Sequence, residues 1–270
     1  MEYQIAIPSY RRATLLKHQT IACLERFNID SERVTIFVAS QEEYEDYQEV
    51  FKNKYKIVVG VLGKVNQQRF YHSYYPKGTP LLNLDDDTVT LLQRTQEGKL
   101  EDFNGSIDEL VETGFSICKQ EGAKMWGINP VENGFFMSDF VTVGLRYICG
   151  NFYGNFAGDP AIMGADRIYT QSSGDDFETT LRSFIQNGSV VRFEYICPKT
   201  KYFAPGGIDA ELKEHGIQNR QSEHSVALAD IVARYPELST LTKKAGGVTN
   251  IRLKPITFAK HTRKSLCLKH

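Results

Sequence analysis

The sequence predicts an α/β fold with a mostly parallel central sheet and flanking helices. Short apolar runs alternate with helical patterns through the first half of the chain, an order that gives a parallel sheet through right-handed crossovers. One apolar run, residues 79–84, leads directly into Asp85, Asp86 and Asp87. A buried strand that ends in acids places them at the mouth of an open sheet, where α/β folds bind ligands. The 270 residues are enough for one large domain with a substantial core.

The strands and helices of the first half follow from the spacing of apolar residues. Strands are expected at residues 3–7, 34–39, 56–61 and 79–84, the last being the fourth strand of the sheet. Helices are expected at residues 13–27 and 42–51, and the polar stretch 63–70 is expected to be the helix before the fourth strand. An exposed helix is the alternative interpretation of that polar stretch.

The second half of the chain has weaker periodicity. Helices are expected at residues 107–120, 175–187 and 222–235, and strands at residues 124–128 and 190–196. Glycines mixed with aromatic residues between positions 144 and 164 favour irregular strands and loops. The apolar residues 134–137 are expected to form a loop over a pocket.

Composition indicates a soluble globular protein. Hydrophobic residues make up 41% of the chain and charged residues 24%, and no apolar run approaches the roughly 18 residues that a membrane span requires. The N-terminus enters a strand without a basic leader, so we expect no signal peptide and a cytoplasmic location. The five scattered cysteines fit reduced thiols better than a disulfide framework or a zinc site.

Charge is distributed unevenly along the chain. Residues 238–270 contain eight Lys or Arg and no acid, which leaves a net charge of about −9 on the remainder. A basic terminus on an acidic body is typical of a polyanionic partner, although such termini are often only solvated.

The three adjacent aspartates predict a divalent cation site. Neighbouring carboxylates repel one another, and water or a hard cation relieves that repulsion. Magnesium takes one or two carboxylates and completes its octahedron with water and substrate phosphates, and manganese prefers the same oxygens. The spacing Asp85-x-Asp87 therefore indicates a metal that bridges to a diphosphate. A solvated turn is the alternative, and the apolar lead-in favours the metal.

Three motifs together resemble those of GT-A-fold glycosyltransferases. They are Ile7-Pro8-Ser9-Tyr10-x-Arg12 after the first strand, Leu84-Asp85-Asp86-Asp87 after the fourth, and Asp175-Asp176 at the start of a later helix. Their order and spacing match over about the first 200 residues. The resemblance implies a GT-A-like, Rossmann-type sheet, a nucleotide-sugar donor on the first β-α turn, a metal at the aspartate motif, and a later acid that faces the acceptor.

Two further segments resemble a narrower group, the glycosyltransferases associated with TET/JBP-type base hydroxylases, many of them encoded by phages. The segments are residues 126–137, which include Trp126-Gly127-Ile128-Asn129-Pro130, and residues 201–208. This resemblance implies transfer of a sugar to a hydroxymethylated pyrimidine in DNA, in the host cytoplasm if the protein is phage-encoded. It also divides the chain into a catalytic domain, residues 1–237, and a basic extension, residues 238–270. The nucleotide-binding half is residues 1–95 and the acceptor half is residues 96–237.

The resemblance assigns the donor side as follows. Asp87 is the first ligand of Mn²⁺ or Mg²⁺, Asp85 is a second ligand or contacts the ribose, and Asp86 coordinates or orients. The donor, most simply a UDP-sugar, would also contact Pro8, Ser9, Tyr10, Arg12 and Arg69. The planar guanidinium of an arginine suits bidentate recognition of anions, although either arginine could instead be a surface cation.

On the acceptor side, an inverting transfer needs a base, and a carboxylate serves if its surroundings raise its pKa. Asp176 is the expected base and Asp175 the reserve, unless one of them only caps the helix. A retaining enzyme would not need this base. Asn133, Phe135 and Phe136 are expected in the acceptor pocket, and Lys260, Arg263 and Lys264 are expected to contact DNA phosphates. His215 and His224 are assigned no catalytic role, and the sequence leaves open whether either contacts metal or phosphate.

Two other functions remain open at this point. A glycosyltransferase that acts on a polysaccharide or a protein would share every donor feature. A non-catalytic nucleic-acid-binding module would use the basic terminus alone, and the intact acids argue against it. The sequence leaves the sugar and the oligomeric state open.

Overall fold

A computed structural model describes residues 1–165, 174–200, 207, 210, 220–243 and 247–263 of the chain. The α-helices are α1 (Ala13–Leu16), α2 (Ala22–Arg26), α3 (Gln41–Phe51), α4 (Lys64–Tyr74), α5 (Ile107–Glu121), α6 (Pro160–Met163), α7 (Asp175–Asn187) and α8 (Arg220–Arg234). A π-helical turn, Lys17–Ile21, joins α1 to α2, and 3-10 turns occur at Ser31–Arg33 and Gly134–Phe136. None of the described helices is long and apolar enough to cross a bilayer.

The strands form one large sheet and two small ones. They are β1 (Gln4–Pro8), β2 (Val34–Val38), β3 (Lys56–Val59), β4 (Pro80–Leu84), β5 (Thr88–Arg94), β6 (Leu100–Asp102), β7 (Trp126–Ile128), β8 (Phe140–Leu145), β9 (Phe152–Phe156), β10 (Val190–Phe193), β11 (Ile196–Thr200), β12 (Ser239–Lys243), β13 (Thr249–Leu253) and β14 (Ile256–Thr262). In the described part of the chain, the large sheet has nine strands in the order β14-β8-β10-β7-β9-β4-β1-β2-β3.

Most strands of the large sheet run in one direction. β3, β2, β1 and β4 are parallel, and β9 lies antiparallel between β4 and β7. β10 is parallel to β7, whereas β8 is antiparallel to both β10 and β14. Among the described strands of the large sheet, only β8 and β9 oppose the others, which confirms the predicted mostly parallel sheet.

The N-terminal strands are apolar because both faces of the sheet are covered. Ile5 and Ile36 belong to the main core cluster on one face. Ala6 and Phe37 pack with Tyr71 of α4 on the other. This double burial explains the continuous apolar runs from which the strands were predicted.

The glycine-rich region is more regular than its sequence pattern indicated. β8 and β9 occupy it, and both belong to the large sheet. At Gly154 of β9, a β-carbon would collide with the indole of Trp126. Gly154 is therefore a position where a neighbouring side chain approaches the backbone, and at Gly144 of β8 the close approach is made by the backbone carbonyl of Ile256. The predicted strand 190–196 is also two strands, because a turn at 194–195 sends β11 to a second sheet with β5.

Part of the basic C-terminal segment is built into the fold. β12 and β13 form a hairpin that packs on α8, and β14 pairs with β8 at the edge of the large sheet. Ala259 of β14 packs against the main core, whereas Lys260 is exposed. Because every charge in the segment is positive, the sequence did not show that inward and outward positions alternate along β14.

Candidate active site

The three aspartates form the turn between β4 and β5. β4 ends at Leu84 and β5 begins at Thr88, so Asp85, Asp86 and Asp87 lie at the carboxyl edge of the parallel strands. Asp85 and Asp87 are half-buried, and Asp86 is buried. The turn therefore presents its two outer carboxylates where an open α/β sheet binds ligands.

The central carboxylate anchors the turn. Asp86 accepts hydrogen bonds from Ser9 Oγ at 2.7 Å and from Arg12 Nη1 at 3.0 Å. Ser9 Oγ also lies 2.7 Å from the hydroxyl of Tyr47 on α3. Asp86 thus ties the aspartate turn to the β1–α1 connection.

The outer carboxylates are held in their charged forms only with difficulty. Burial raises the pKa of Asp85 to about 8; the ammonium of Lys64 opposes this shift and the charge of Asp87 adds to it. Burial, followed by the charge of Asp86, raises the pKa of Asp87 to about 6, against the guanidinium of Arg12. Both carboxylates would gain from an additional positive charge.

A second pair of acids opens α7. Asp175 is the first residue of the helix, and the helix is preceded by Gly174 in the left-handed conformation, with no side-chain cap. Neither aspartate is therefore the N-cap, which was the structural alternative for them. Both lie in the first helical turn, where the helix dipole favours negative charge.

Lys64 joins the two acidic groups. It is the first residue of α4, and its Nζ lies 3.4 Å from Asp175 Oδ2 and 3.6 Å from Asp176 Oδ1. Burial disfavours its charge, but the charges of Asp175, Asp176 and Asp85 raise its pKa well above the usual value. Lys64 is therefore a fixed cation between the aspartate turn and α7.

Asp176 is held by its neighbours in one position. Tyr147 donates a hydrogen bond to Asp176 Oδ2 at 3.3 Å, and a β-carbon on Gly150 would collide with Asp176 Oδ1. Burial raises the pKa of Asp176, but Lys64 and the hydrogen bonds from the Gly150 amide and Tyr147 together bring it below its usual value. The sequence argument assumed a raised pKa at this carboxylate. The structure instead gives a carboxylate that stays ionised because a lysine stands beside it.

Asp85, Asp175 and Asp176 share one cavity that is partly open to solvent, and Asp86 and Asp87 lie outside its lining. Its lining residues are Pro8, Lys64, Gln68, Tyr71, Asn83, Leu84, Asp85, Gly150, Tyr153, Asp175 and Asp176. Gln68 donates a hydrogen bond to the Tyr153 hydroxyl at 2.6 Å, which fixes the wall opposite the acids. The cavity therefore combines three carboxylates and one ammonium with an ordered polar wall.

The carboxylates of the two acidic groups fit a divalent cation whose coordination is completed by a bound ligand. Among the described residues, five carboxylates in the two acidic groups meet two cations, Arg12 and Lys64. No group of three or more His, Cys, Asp or Glu in the described residues could hold a metal by itself. The excess of carboxylates over cations agrees with a hard cation that uses one or two carboxylates and completes its shell with phosphate and water.

The predicted donor residues have different surroundings. Pro8 lines the cavity, and Ser9 and Arg12 hold Asp86. Tyr10 packs under the Arg11 guanidinium, and its carbonyl accepts a hydrogen bond from the amide of Gly207. Arg69, on α4, donates to the carbonyl of Gly164 at 3.0 Å. Of these residues, Pro8, Ser9 and Arg12 gather at the aspartate turn.

The predicted acceptor residues form a separate surface. Asn133 accepts a hydrogen bond from the Phe135 amide, and the following 3-10 turn leaves the side chains of Phe135 85% and Phe136 66% exposed. Arg94 Nε donates to the carbonyl of Gly134, which anchors this turn. None of these residues lines the cavity with the acids.

The residues that were predicted to contact DNA phosphates also differ in their surroundings. Lys260 is exposed, with its ammonium over the ring of Phe140. Arg263 instead donates to the carbonyl of Arg94 and to Gln93 Oε1, and it stacks over Tyr195. Lys264, His215 and the 201–206 part of the second resemblance segment lie outside the described residues, and His224 lies on α8.

Four contributors to the site were missed in the sequence. Lys64 was read only as part of a polar helix, although a lysine that directly follows a glycine after a parallel strand is a recognisable position. Gly150 was read as structural. Tyr147 gave no local signal, because its partner Asp176 is distant in the sequence. Thr20, whose hydroxyl donates to the carbonyl of Asp85, gave none for the same reason.

Comparisons with known proteins identify the fold. No protein-family model and no curated protein matches the chain. Among solved structures, the chain is similar to glucosyl-3-phosphoglycerate synthase from Mycobacterium tuberculosis, with 9% identity and a TM-score of 0.51 over 97% of this chain and 90% of that one. It is also similar to residues 1–349 of S. aureus TarS, with 13% identity and a TM-score of 0.56 over 86% of this chain and 66% of that one.

Structures of both proteins were determined as complexes with nucleotide sugars. The synthase was solved with Mn²⁺, UDP-glucose and phosphoglyceric acid, and TarS with UDP-GlcNAc. At such low identities the similarity shows the fold alone, and the predicted GT-A-like sheet is confirmed at that level.

Proposed function

We propose that this protein is a metal-dependent glycosyltransferase that moves a sugar from a nucleotide-sugar donor, a UDP-sugar, to an acceptor hydroxyl. The observation that carries the proposal is the convergence of Asp85, Asp175 and Asp176 on one cavity at the carboxyl edge of β4, with Lys64 between them. The similar proteins that bind UDP-sugars support the same reaction class.

The donor side would be organised by the aspartate turn. Asp87 and Asp85 would hold Mn²⁺ or Mg²⁺, and such an ion would stabilise the charge that develops on a leaving diphosphate. Asp86, through Ser9 and Arg12, keeps the turn in place. Pro8 closes the cavity on the β1 side.

The acceptor side would be organised by α7. Asp176 is ionised and fixed by Tyr147, Gly150 and Lys64, so it can receive the proton of an acceptor hydroxyl that enters the cavity. Lys64 balances part of the negative charge while Asp176 is ionised. Asp175, on the other side of Lys64, is the alternative base.

We also propose that the acceptor is a hydroxymethylated pyrimidine in DNA. The support is the resemblance of residues 126–137 together with the acid-free segment 238–270 and its eight basic residues. The exposed Phe135 and Phe136 have the character of side chains that stack on bases. A base extruded from the duplex could bring its hydroxyl to Asp176.

A single assay tests both levels of the proposal. Purified protein is incubated with a panel of nucleotide sugars, with Mn²⁺, Mg²⁺ or EDTA, and with hydroxymethylated or plain DNA. We expect cation-dependent sugar transfer to the hydroxymethylated DNA only. If the protein hydrolyses the donor in a cation-dependent reaction but transfers no sugar to DNA, the assignment as a glycosyltransferase stands. The acceptor would then be a carbohydrate or a protein. No reaction and no UDP binding under any condition would overturn the enzyme assignment.

A further inference from the structure

Thr20 contacts both ends of the aspartate turn. Its hydroxyl donates to the carbonyl of Asp85 at 2.7 Å and accepts a hydrogen bond from the amide of Thr88 at 2.9 Å. Thr20 itself is fully buried, at 0% exposure. One side-chain oxygen thus joins the first residue of the turn to the first residue of β5.

The helix around Thr20 is shaped for this contact. A threonine inside a helix commonly turns its hydroxyl back to a carbonyl of its own helix. Thr20 instead lies in the π-helical turn Lys17–Ile21, and its hydroxyl reaches a carbonyl 65 residues away in the sequence. Single π-helical turns inside α-helices are rare and are frequently found at functional sites.

The contact also completes a set of restraints on the turn. The middle of the turn is fixed through the Asp86 carboxylate by Ser9 and Arg12. Thr20 fixes the main chain on either side of Asp86. The side chains of Asp85 and Asp87 remain as the members of the turn that can serve a ligand.

We propose that Thr20 is a positioning residue that sets the placement of the Asp85 and Asp87 carboxylates and thereby the affinity for a divalent cation. The inference rests on the proposed function, which makes these two aspartates the ligands. A hard cation of magnesium size demands near-ideal octahedral geometry, so small displacements of its carboxylates weaken binding. Groups that orient metal ligands typically contribute about 10- to 100-fold to metal affinity.

The experiment compares Thr20→Val with Thr20→Ser. Valine matches the shape of threonine and removes both hydrogen bonds, whereas serine keeps the hydroxyl. Mn²⁺ affinity is measured by calorimetry and by electron paramagnetic resonance in the presence of UDP. We expect the Mn²⁺ dissociation constant to rise at least about tenfold in Thr20→Val and to stay near the wild-type value in Thr20→Ser.

A matched control separates positioning from stability. Thr142 of β8 is also buried, at 4% exposure, and its hydroxyl donates to Glu194 Oε1 at 2.6 Å, in a part of the large sheet away from β4 and the aspartate turn. Thr142→Val should lower the melting temperature and leave the Mn²⁺ affinity unchanged. If Thr20→Val does not fold, Thr20→Cys provides the second test, because a thiol is only a weak hydrogen-bonding group. The cysteine variant should lose part of the Mn²⁺ affinity.

The outcomes distinguish this inference from the function on which it rests. Wild-type Mn²⁺ affinity in a folded Thr20→Val or Thr20→Cys variant overturns the positioning role and leaves the proposed function intact. Absence of cation-dependent UDP binding in the wild type overturns the proposed function, and the positioning role with it.

Discussion

The three aspartates of the β4–β5 turn have unequal surroundings, and this inequality can be tested residue by residue. Asp86 bonds to Ser9 and Arg12, whereas the Arg12 guanidinium lies 4.0 Å from Asp87. A sequence motif of three identical residues cannot show such a division of roles. The sequence located the turn correctly, and the partners of each carboxylate came from distant elements.

We predict that Asp87→Ala abolishes the cation dependence of UDP binding. Residues that only orient metal ligands contribute about 10- to 100-fold to metal affinity, so the loss of a ligand itself should lower UDP affinity in Mn²⁺ by at least about tenfold. Calorimetry with and without Mn²⁺ measures the change, and Asp46→Ala on the exposed face of α3 is the matched control. Equal, cation-independent UDP binding in the variant and the wild type would refute the ligand assignment.

Substitution of Asp176 should lower the rate of sugar transfer and leave UDP affinity unchanged. We predict that Asp176→Asn binds UDP with wild-type affinity and loses about 10²- to 10⁴-fold in transfer rate, because the amide cannot accept the acceptor proton. Asp175→Asn is the matched comparison, since both carboxylates flank Lys64. Near wild-type turnover in Asp176→Asn, with loss in Asp175→Asn, would exchange the two roles. Turnover retained in both variants points to a retaining mechanism.

Gly150 provides an independent test of the same carboxylate. Its substitution by alanine would force the Asp176 carboxylate to move, since the added carbon collides with Oδ1. A displacement of about 1 Å can cost about 10²-fold in rate, so Gly150→Ala should reduce transfer by that order with UDP binding preserved. Gly188→Ala, at the far end of α7, is the control: it has a φ of 78° and open space around it. It should lower stability without changing transfer, and equal transfer rates in the two variants would contradict the placement of Asp176.

The strands differ in how far they could be predicted, and the reason is burial. β1, β2 and β4 are covered on both faces, and their apolar runs were sufficient to place them. β8, β9 and β14 were missed because their patterns mix glycine, aromatic and basic residues that satisfy contacts with neighbouring strands and side chains. The positive charge of the segment that contains β14 was interpreted as a basic terminus that binds a polyanionic partner, and no strand was predicted there.

The position of β14 changes the test of DNA binding. Lys260 is exposed, so we predict that Lys260→Glu weakens binding to all duplexes alike and reduces the log-log salt slope by about 0.9. Affinity for free UDP should not change, because Lys260 lies outside the cavity lining. Filter binding or fluorescence anisotropy at several salt concentrations measures the slope, with Lys119→Glu on the exposed face of α5 as the control.

Arg263 requires a different expectation. It bonds to the Arg94 carbonyl and to Gln93, so reversing its charge should lower the stability of the fold by about 1–3 kcal/mol in addition to any effect on DNA. Thermal unfolding of Arg263→Glu beside Lys260→Glu separates the two effects. Unchanged duplex affinity in Lys260→Glu would show that β14 is not part of the DNA-binding surface.

In the molecule as a whole, the order of strands and helices along the chain was sufficient to predict the N-terminal half of the sheet. It was not sufficient to predict how the later strands extend that sheet. Parallel β-α units are local and each one leaves a periodic pattern. The placement of β9 between β4 and β7, and of β14 beside β8, depends on pairing between distant segments, which no local pattern records. The acids of α7 could be recognised only through a resemblance, because their convergence with the aspartate turn is a tertiary property.

The last described strand also has a consequence for biosynthesis. β8 pairs with β10 on one side and with β14 on the other, and β14 ends only at Thr262. While the chain is still being made, β8 and β10 can pair, but the other edge of β8 has no partner. An unpaired, apolar strand edge is a template for association with other chains. A chain that has been synthesised only to a point before β14, or that is truncated there, therefore exposes this edge of β8 and is more prone to aggregation than the folded protein.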